Sequence, residues 1–210
     1  MKHFKGFSSV IAINDAEGKL VKLADAVRWG WVLPGKSMSD FDLSSNEIPL
    51  GPNLQLDNFR QYLCYAATYR APVGNYVIQR FGVGTGVKPP TTADTQLQAQ
   101  VNLVAPDNAQ LNTKLVDTTS YPSPYYSQTY FTLGVNDANG YLITEAGLYS
   151  GDNTLLIRWT FPGIAKDSSF TPTLMHRLSW AFPFIFSLFY LGHATLQHVT
   201  TLAQSSPFSA

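Results

Sequence analysis

An antiparallel, mainly β chain is what this sequence predicts: a β-sandwich or partly open barrel with one short helix and extended arms at both ends. Three observations carry that expectation. Turn signals recur every 8–14 residues between short runs rich in Val, Ile, Thr, Tyr and Phe, the spacing of sandwiches and barrels. The 15 glycines and 13 prolines punctuate those runs. Charged residues make up 13% of the 210 residues, about half the usual ~25%, while aromatics also reach 13%. A free monomer keeps more charge for solubility, so the third observation also points to a surface covered by neighbours.

Taken in order, the chain divides into a hairpin and arm over 1–56, a β-domain with a leading helix over 57–186, and a tail over 187–210. Residues 7–13 (FSSVIAI) and 20–32 flank the turn-forming Asn14–Lys19, which predicts an N-terminal hairpin. Leu33–Asn53 is irregular, carries three prolines and reads as an extended arm. Asp57 stands at the N-cap of a helix over 58–69, where Phe59, Leu63 and Ala66 recur at helical spacing. That helix has a short polar face and is expected to be covered on more than one side.

Tyr76–Val83 predicts a strand running into the corner Gly82-Val-Gly84-Thr-Gly86, after which Asp94 would cap a short helical turn. Strands follow at Gln100–Ala105, Leu111–Val116 and Gln128–Val135, with Ser120–Ser127 as a Tyr- and Pro-rich loop. Asn136–Gly140 ends in Asn-Gly, the strongest hairpin signal here, because Asn-Gly readily takes positive φ. Leu142–Tyr149 and Thr154–Phe161 form a hairpin about Ser150–Asn153, and Thr173–Phe186 gives a last strand.

Several chemistries are excluded or weak. Zero net charge leaves no footprint for nucleic acid or an anionic membrane. The 14-residue run Leu178–Leu191 falls short of the ~20 residues needed to span a bilayer and contains Pro183. The single Cys64 excludes an intrachain disulfide, and the apolar run VIAI is too short for a signal peptide. His3, His176, His193 and His198 lack metal-ligand spacing, and the glycine corner leads into Lys88-Pro-Pro rather than a phosphate-binding helix. No cofactor is expected. Glu145 is the one acid at an interesting place; pairing with Arg158 across the hairpin is favoured over general-acid work. Gly147 beside it suggests close packing or a bulge, with Ile143 and Leu148 on opposite faces.

The aromatic surplus fits subunit interfaces better than one sugar platform. Interface candidates are Trp29, Trp31 and Phe41 in the N-terminal part and Tyr125 and Tyr126 in the loop. Phe184, Phe186, Phe189 and Tyr190 are those of the C-terminal run.

One resemblance adds to this reading. The order Gly-x-Gly-x-Gly, Ala93-Asp94-Thr95-x-Leu97, Ile143-Thr-Glu145-Ala-Gly147-Leu148, Arg158, Phe161-Pro-Gly-Ile-Ala-Lys166 and Leu178-Ser-Trp180 resembles a group of tailed-bacteriophage virion proteins. This is the tail-fibre, baseplate and neck-associated β-sandwich family. It covers residues 57–180; residues 1–56 and the run Phe182–Leu191 have no counterpart in it. The resemblance implies a non-enzymatic structural subunit of the virion, assembled in the host cytoplasm as a homo-oligomer (trimer or ring) beside other virion proteins. The alternatives are a capsid decoration protein and a module that binds a host-surface glycan.

Overall fold

The computed structural model describes residues 4–33, 47–68, 78–103, 112–123 and 126–180. Its strands are β1 (Phe4–Asp15), β2 (Val32–Leu33), β3 (Ile48–Gln55), β4 (Ile78–Gly84), β5 (Lys114–Leu115), β6 (Thr118–Ser123), β7 (Tyr126–Thr132), β8 (Tyr141–Ser150), β9 (Leu155–Lys166) and β10 (Phe170–Trp180). Two helices accompany them, α1 (Leu23–Arg28) and α2 (Asp57–Thr68). All the pairings are antiparallel and form one path, β5-β4-β8-β9-β3-β1-β10-β7-β6, with β2 on β9.

That path is curled into a half-barrel, the partly open form of the expected architecture. Phe81 on β4 and Phe131 on β7 show why. Six strand steps separate them, about 29 Å in a flat sheet at ~4.8 Å per step. Their ring centroids are nonetheless 4.4 Å apart, with Trp159 of β9 edge-on to Phe131 at 6.3 Å. The inner faces of the two flanks therefore meet in one core with Val10, Ile13, Val83, Leu148 and Leu174.

The structure corrects several expectations. Of the N-terminal part, β1 is a strand within the sheet, pairing with β10 from Phe4 to Asp15 and with β3 on its other side, while residues 34–46 of the expected arm lie outside the described residues. A central strand needs apolar residues on both faces, which is what the run Val10–Ile13 supplies. The sheet thus crosses the boundary expected at residue 56. Residues 20–32 return only as a single bridge, Asn14↔Leu20, before α1 takes over. Leu23-Ala-Asp-Ala-Val-Arg28 carries good helix formers, and it buries Ala26 and Val27.

The Asn-Gly turn does not make a hairpin. β7 and β8 are not neighbours, and the loop between them carries the chain across the mouth of the curl. Local positive φ is present at Ala138 (53°) and Gly140 (80°), but strand partners are chosen by burial over the whole sheet. The Ser150–Asn153 turn does join paired strands, with Asn153 at φ 65°. Ser120–Ser127 is mostly β6 and the start of β7 rather than a loop. Of the strand expected at 100–105, a single bridge, Gly84↔Gln100, forms. Of 111–116, only β5 is a strand.

Helix α2 begins at Asp57, with Phe59 buried and Tyr62 and Leu63 half-buried on the core side. Arg60, Gln61, Cys64 and Tyr65 are exposed, so it is covered on one face and not on several. Bulges interrupt the β8–β9 register between Ile143 and Glu145. The extra residues lie in β9, and Ile143 and Leu148 are both fully buried in one core cluster. At the rims of the described path, β5 is two residues long, and β6 carries Pro122 and a bulge between Ser120 and Ser123.

Candidate functional site

The motif residues converge on one buried ion-pair hub where β4, β8 and β9 lie side by side. Glu145 of β8 and Arg158 of β9 are not directly opposite; Arg158 faces Gly147 and Glu145 faces Thr160. The diagonal lets the guanidinium fork onto the carboxylate, Nε at 3.0 Å and Nη2 at 2.8 Å, both on Oε2. Glu145 is 0% and Arg158 2% exposed. A buried pair of this kind costs desolvation of both ions and persists only where every remaining lone pair and proton finds a partner.

Here nearly all of them do. The amides of Gly86 (3.1 Å) and Ala99 (2.7 Å) donate to Oε1, and the amide of Gln98 (3.0 Å) donates to Oε2. Arg158 Nη2 also donates to the Lys88 carbonyl at 3.1 Å, and Nη1 donates to Asp94 Oδ2 at 2.6 Å. One carboxylate and one guanidinium therefore tie the strand corner at 84–88 and the segment 94–99 to the central hairpin. Thr144 Oγ1 donates to the Gly86 carbonyl, and the Lys88 amide donates to Gln98 Oε1, closing the same corner.

The glycine alternation follows from this crowding. A Cβ on Gly84 would lie 2.5 Å from both the Ala99 carbonyl oxygen and Glu145 Oε1, and one on Gly86 would lie 2.5 Å from Oε1. Gly82 is packed by Gln100 and Tyr149, and Gly147 makes room for Leu155 and Leu97. The glycines are there so that a second backbone segment and a carboxylate can approach the strand.

Asp94 does not start a helix. Its carboxylate accepts from the Thr91 amide (3.0 Å) and hydroxyl (2.7 Å) while its own amide donates to the Thr91 carbonyl, a closed turn. Burial pushes its pKa up, but the hydrogen bonds from Thr91 and Arg158 outweigh that and hold the carboxyl below the usual range. Tyr149, behind the hub, is pushed up by burial and by the Glu145 charge.

A shallow pocket of ≈ 340 Å³ opens beside the hub, lined by Lys88, Asp94, Gln96, Gln98 and Arg158 among others. Four of the five Arg158 N–H groups are taken by Glu145, Asp94 and Lys88. Glu145 is likewise enclosed, with five donors on its two oxygens, and has no geometry for proton transfer to a substrate. Among the described residues no group of His, Cys, Asp and Glu could hold a metal ion, and no helix is long and apolar enough to cross a membrane.

The interface candidates disperse. Trp29 is 55% exposed and edge-on to Trp31 at 4.9 Å, and Trp31 is half-buried and stacked on Phe170 at 4.5 Å. Tyr126 is half-buried under the Arg177 guanidinium, 5.6 Å from its ring centroid. Phe41, Tyr125, Phe184, Phe186, Phe189 and Tyr190 lie outside the described residues, as do His3, His193 and His198.

A second polar cluster escaped sequence reasoning. On the inner face of the curl, Asn53 donates to His176 Nδ1 (2.5 Å) and to Ser8 Oγ (2.9 Å), and His176 stacks on Trp159 at 5.7 Å. Asn53 Oδ1, Gln55 Nε2, Trp159 Nε1 and His176 Nε2 are buried without a partner. Burial alone drives the His176 pKa down to about 3, so the ring is neutral. Only strand register brings these residues together, and no short motif announces them.

No protein-family model, curated protein or solved structure matches this chain.

Proposed function

We propose that this chain is a non-enzymatic structural subunit of a tailed-phage virion, a tail, neck, baseplate or fibre-attachment component that works by assembling with copies of itself and with other virion proteins. The observation that carries the reading is the use made of the motif residues. Gly84, Gly86, Asp94, Glu145, Gly147 and Arg158, the residues of the virion-protein resemblance, all serve one saturated hub that fixes a corner of the sheet. They are spent on shape: the Glu145 carboxylate is enclosed, and Asp94 and Arg158, which border the shallow pocket beside the hub, are bonded to each other.

Low charge supports the same reading. So do the exposed apolar residues Trp29, Leu33, Tyr141 and Leu142, of which Leu33 and Leu142 flank Gly163 of β9. Such residues gathered at one end of a sheet suit contact with another subunit. Light scattering coupled to size-exclusion chromatography tests the proposal: a discrete trimer or ring is expected. A protein that stays strictly monomeric at high concentration would overturn it, and a glycan array on that monomer would then test the sugar-binding alternative.

A further inference from the structure

Outside the hub, the end of β9 holds a lysine in unusual company. Lys166 is 1% exposed, and no described carboxylate forms an ion pair with it. Its Nζ donates to the side-chain Oδ1 of Asn139 at 2.9 Å and to the main-chain oxygen of Asp167, and it lies 5.7 Å from the Phe170 ring centroid. Burial lowers its pKa against the opposing charges of Asp137 and Asp167, which enlarges the fraction of neutral, nucleophilic amine.

Asn139 is exposed, and its amide nitrogen Nδ2 donates to the Val135 carbonyl at 2.7 Å, which fixes the plane of the amide. An amine hydrogen-bonded to Oδ1 stands roughly 3–4 Å from the carbon that bears it, close to a near-attack distance. The competing nucleophile in an Asn-Gly pair is the backbone nitrogen of Gly140. That nitrogen is occupied, because it donates to the Lys166 carbonyl at 2.9 Å. Asp137 is engaged elsewhere: it is 4% exposed, and its Oδ2 accepts from Lys114 Nζ (2.6 Å) and from the Gly134 amide (2.7 Å).

We propose that Lys166 and Asn139 are a self-modification site, at which Lys166 Nζ displaces Asn139 Nδ2 to form an intramolecular isopeptide bond. The Lys166 ammonium gives one proton to water, and the neutral Nζ adds to Asn139 Cγ. The Cγ–Nδ2 bond then breaks as Nζ loses its second proton and water returns protons to Nδ2. The two protons that Nζ loses leave with Nδ2 as ammonium, so atoms and charge balance without oxidant, cofactor or nucleotide. The product ties the turn before β8 to the end of β9, a covalent closure of the hairpin in a chain whose single cysteine allows no internal disulfide. The proposal stands independently of the virion reading.

Intact mass under denaturing conditions tests it, because a covalent bond survives unfolding. The full chain should be lighter than its sequence mass by one ammonia, about 17 Da. A tryptic map should then contain one branched peptide joining Asn139 to Lys166. Lys166→Arg should restore the full mass. A cyclic imide at Asn139 would show the same deficit, yet it persists in Lys166→Arg, gives no branched peptide and takes up water on standing; that outcome overturns the proposal. So does a wild-type protein that stays at full mass after prolonged incubation while folded.

Discussion

The hub at Glu145 and the inner cluster at His176 are both buried and polar, and they solve that problem in opposite ways. In the hub both carboxylate oxygens and four of the five guanidinium N–H groups are matched, the cation lies between two carboxylates, and three backbone amides complete the shell of Glu145. In the inner cluster four side-chain atoms have no partner, and the one titratable group stays neutral because burial forbids its charge. Saturation turns buried polarity into a rigid joint; incomplete pairing leaves a site whose stability depends on pH. Substitutions should therefore hurt in the hub and be tolerated, or even help, in the cluster.

The largest effect is expected for Arg158→Met. It strands a buried carboxylate, and breaking such a pair typically costs about 3–5 kcal/mol. Chemical denaturation should show that loss, and the double variant Glu145→Gln with Arg158→Met should recover part of it; a single variant as stable as the parent would break the contrast. Next comes Gly84→Ala, whose Cβ would meet a backbone oxygen at 2.5 Å that cannot swing aside. About 2–3 kcal/mol is expected, by analogy with overpacked cores, read from the shift in thermal midpoint.

His176 gives the third prediction. A folded pKa of about 3 lies below the ordinary 6.5, so the folded state resists protonation and the unfolded chain does not. Its contribution is fully present above pH ~6.5 and is lost as pH falls from there towards 3, at up to ~1.4 kcal/mol per pH unit. Between pH 6.5 and 5, before most carboxylates titrate, that amounts to about 2 kcal/mol. Urea unfolding over this range should show the slope, and His176→Gln should flatten it. A wild-type profile that is already flat would remove the difference between the two regions.

Smaller still is Gln55→Met, which deletes a partnerless buried amide and should change stability by less than about 1 kcal/mol, in the stabilising direction. A loss above 2 kcal/mol would mean that the amide has a partner after all. The exposed pair Asp57–Arg60 sets the floor: Asp57→Ala should lie within about 0.5 kcal/mol of the parent.

How much was legible follows from range. The Glu145–Arg158 pairing could be read because a short turn fixes the register of adjacent strands, and α2 could be read because its signal is local. The place of β1 at the centre of the sheet could not. Its partner β10 lies some 160 residues away, and nothing near Phe4–Asp15 says which strand will cover it. Asn139-Gly140 misled for the same reason: positive φ turns the chain, but it does not choose the strand that the next residues join. The role of Gly84 and Gly86 was visible only as punctuation, because the carboxylate they make room for comes from Glu145, 59 residues after Gly86. His176, Asn53 and Trp159 belong to three strands, β10, β3 and β9, that only the strand order of the whole sheet brings close.

The rims of the described sheet bear on how this chain could meet another. One is two residues long, and the other is interrupted by a residue without an amide hydrogen and by a kink in its ladder. Lateral growth by main-chain zippering is thereby discouraged at both margins. At these two described margins, contact with another chain falls to side chains, and contacts of that kind can be counted, oriented and closed.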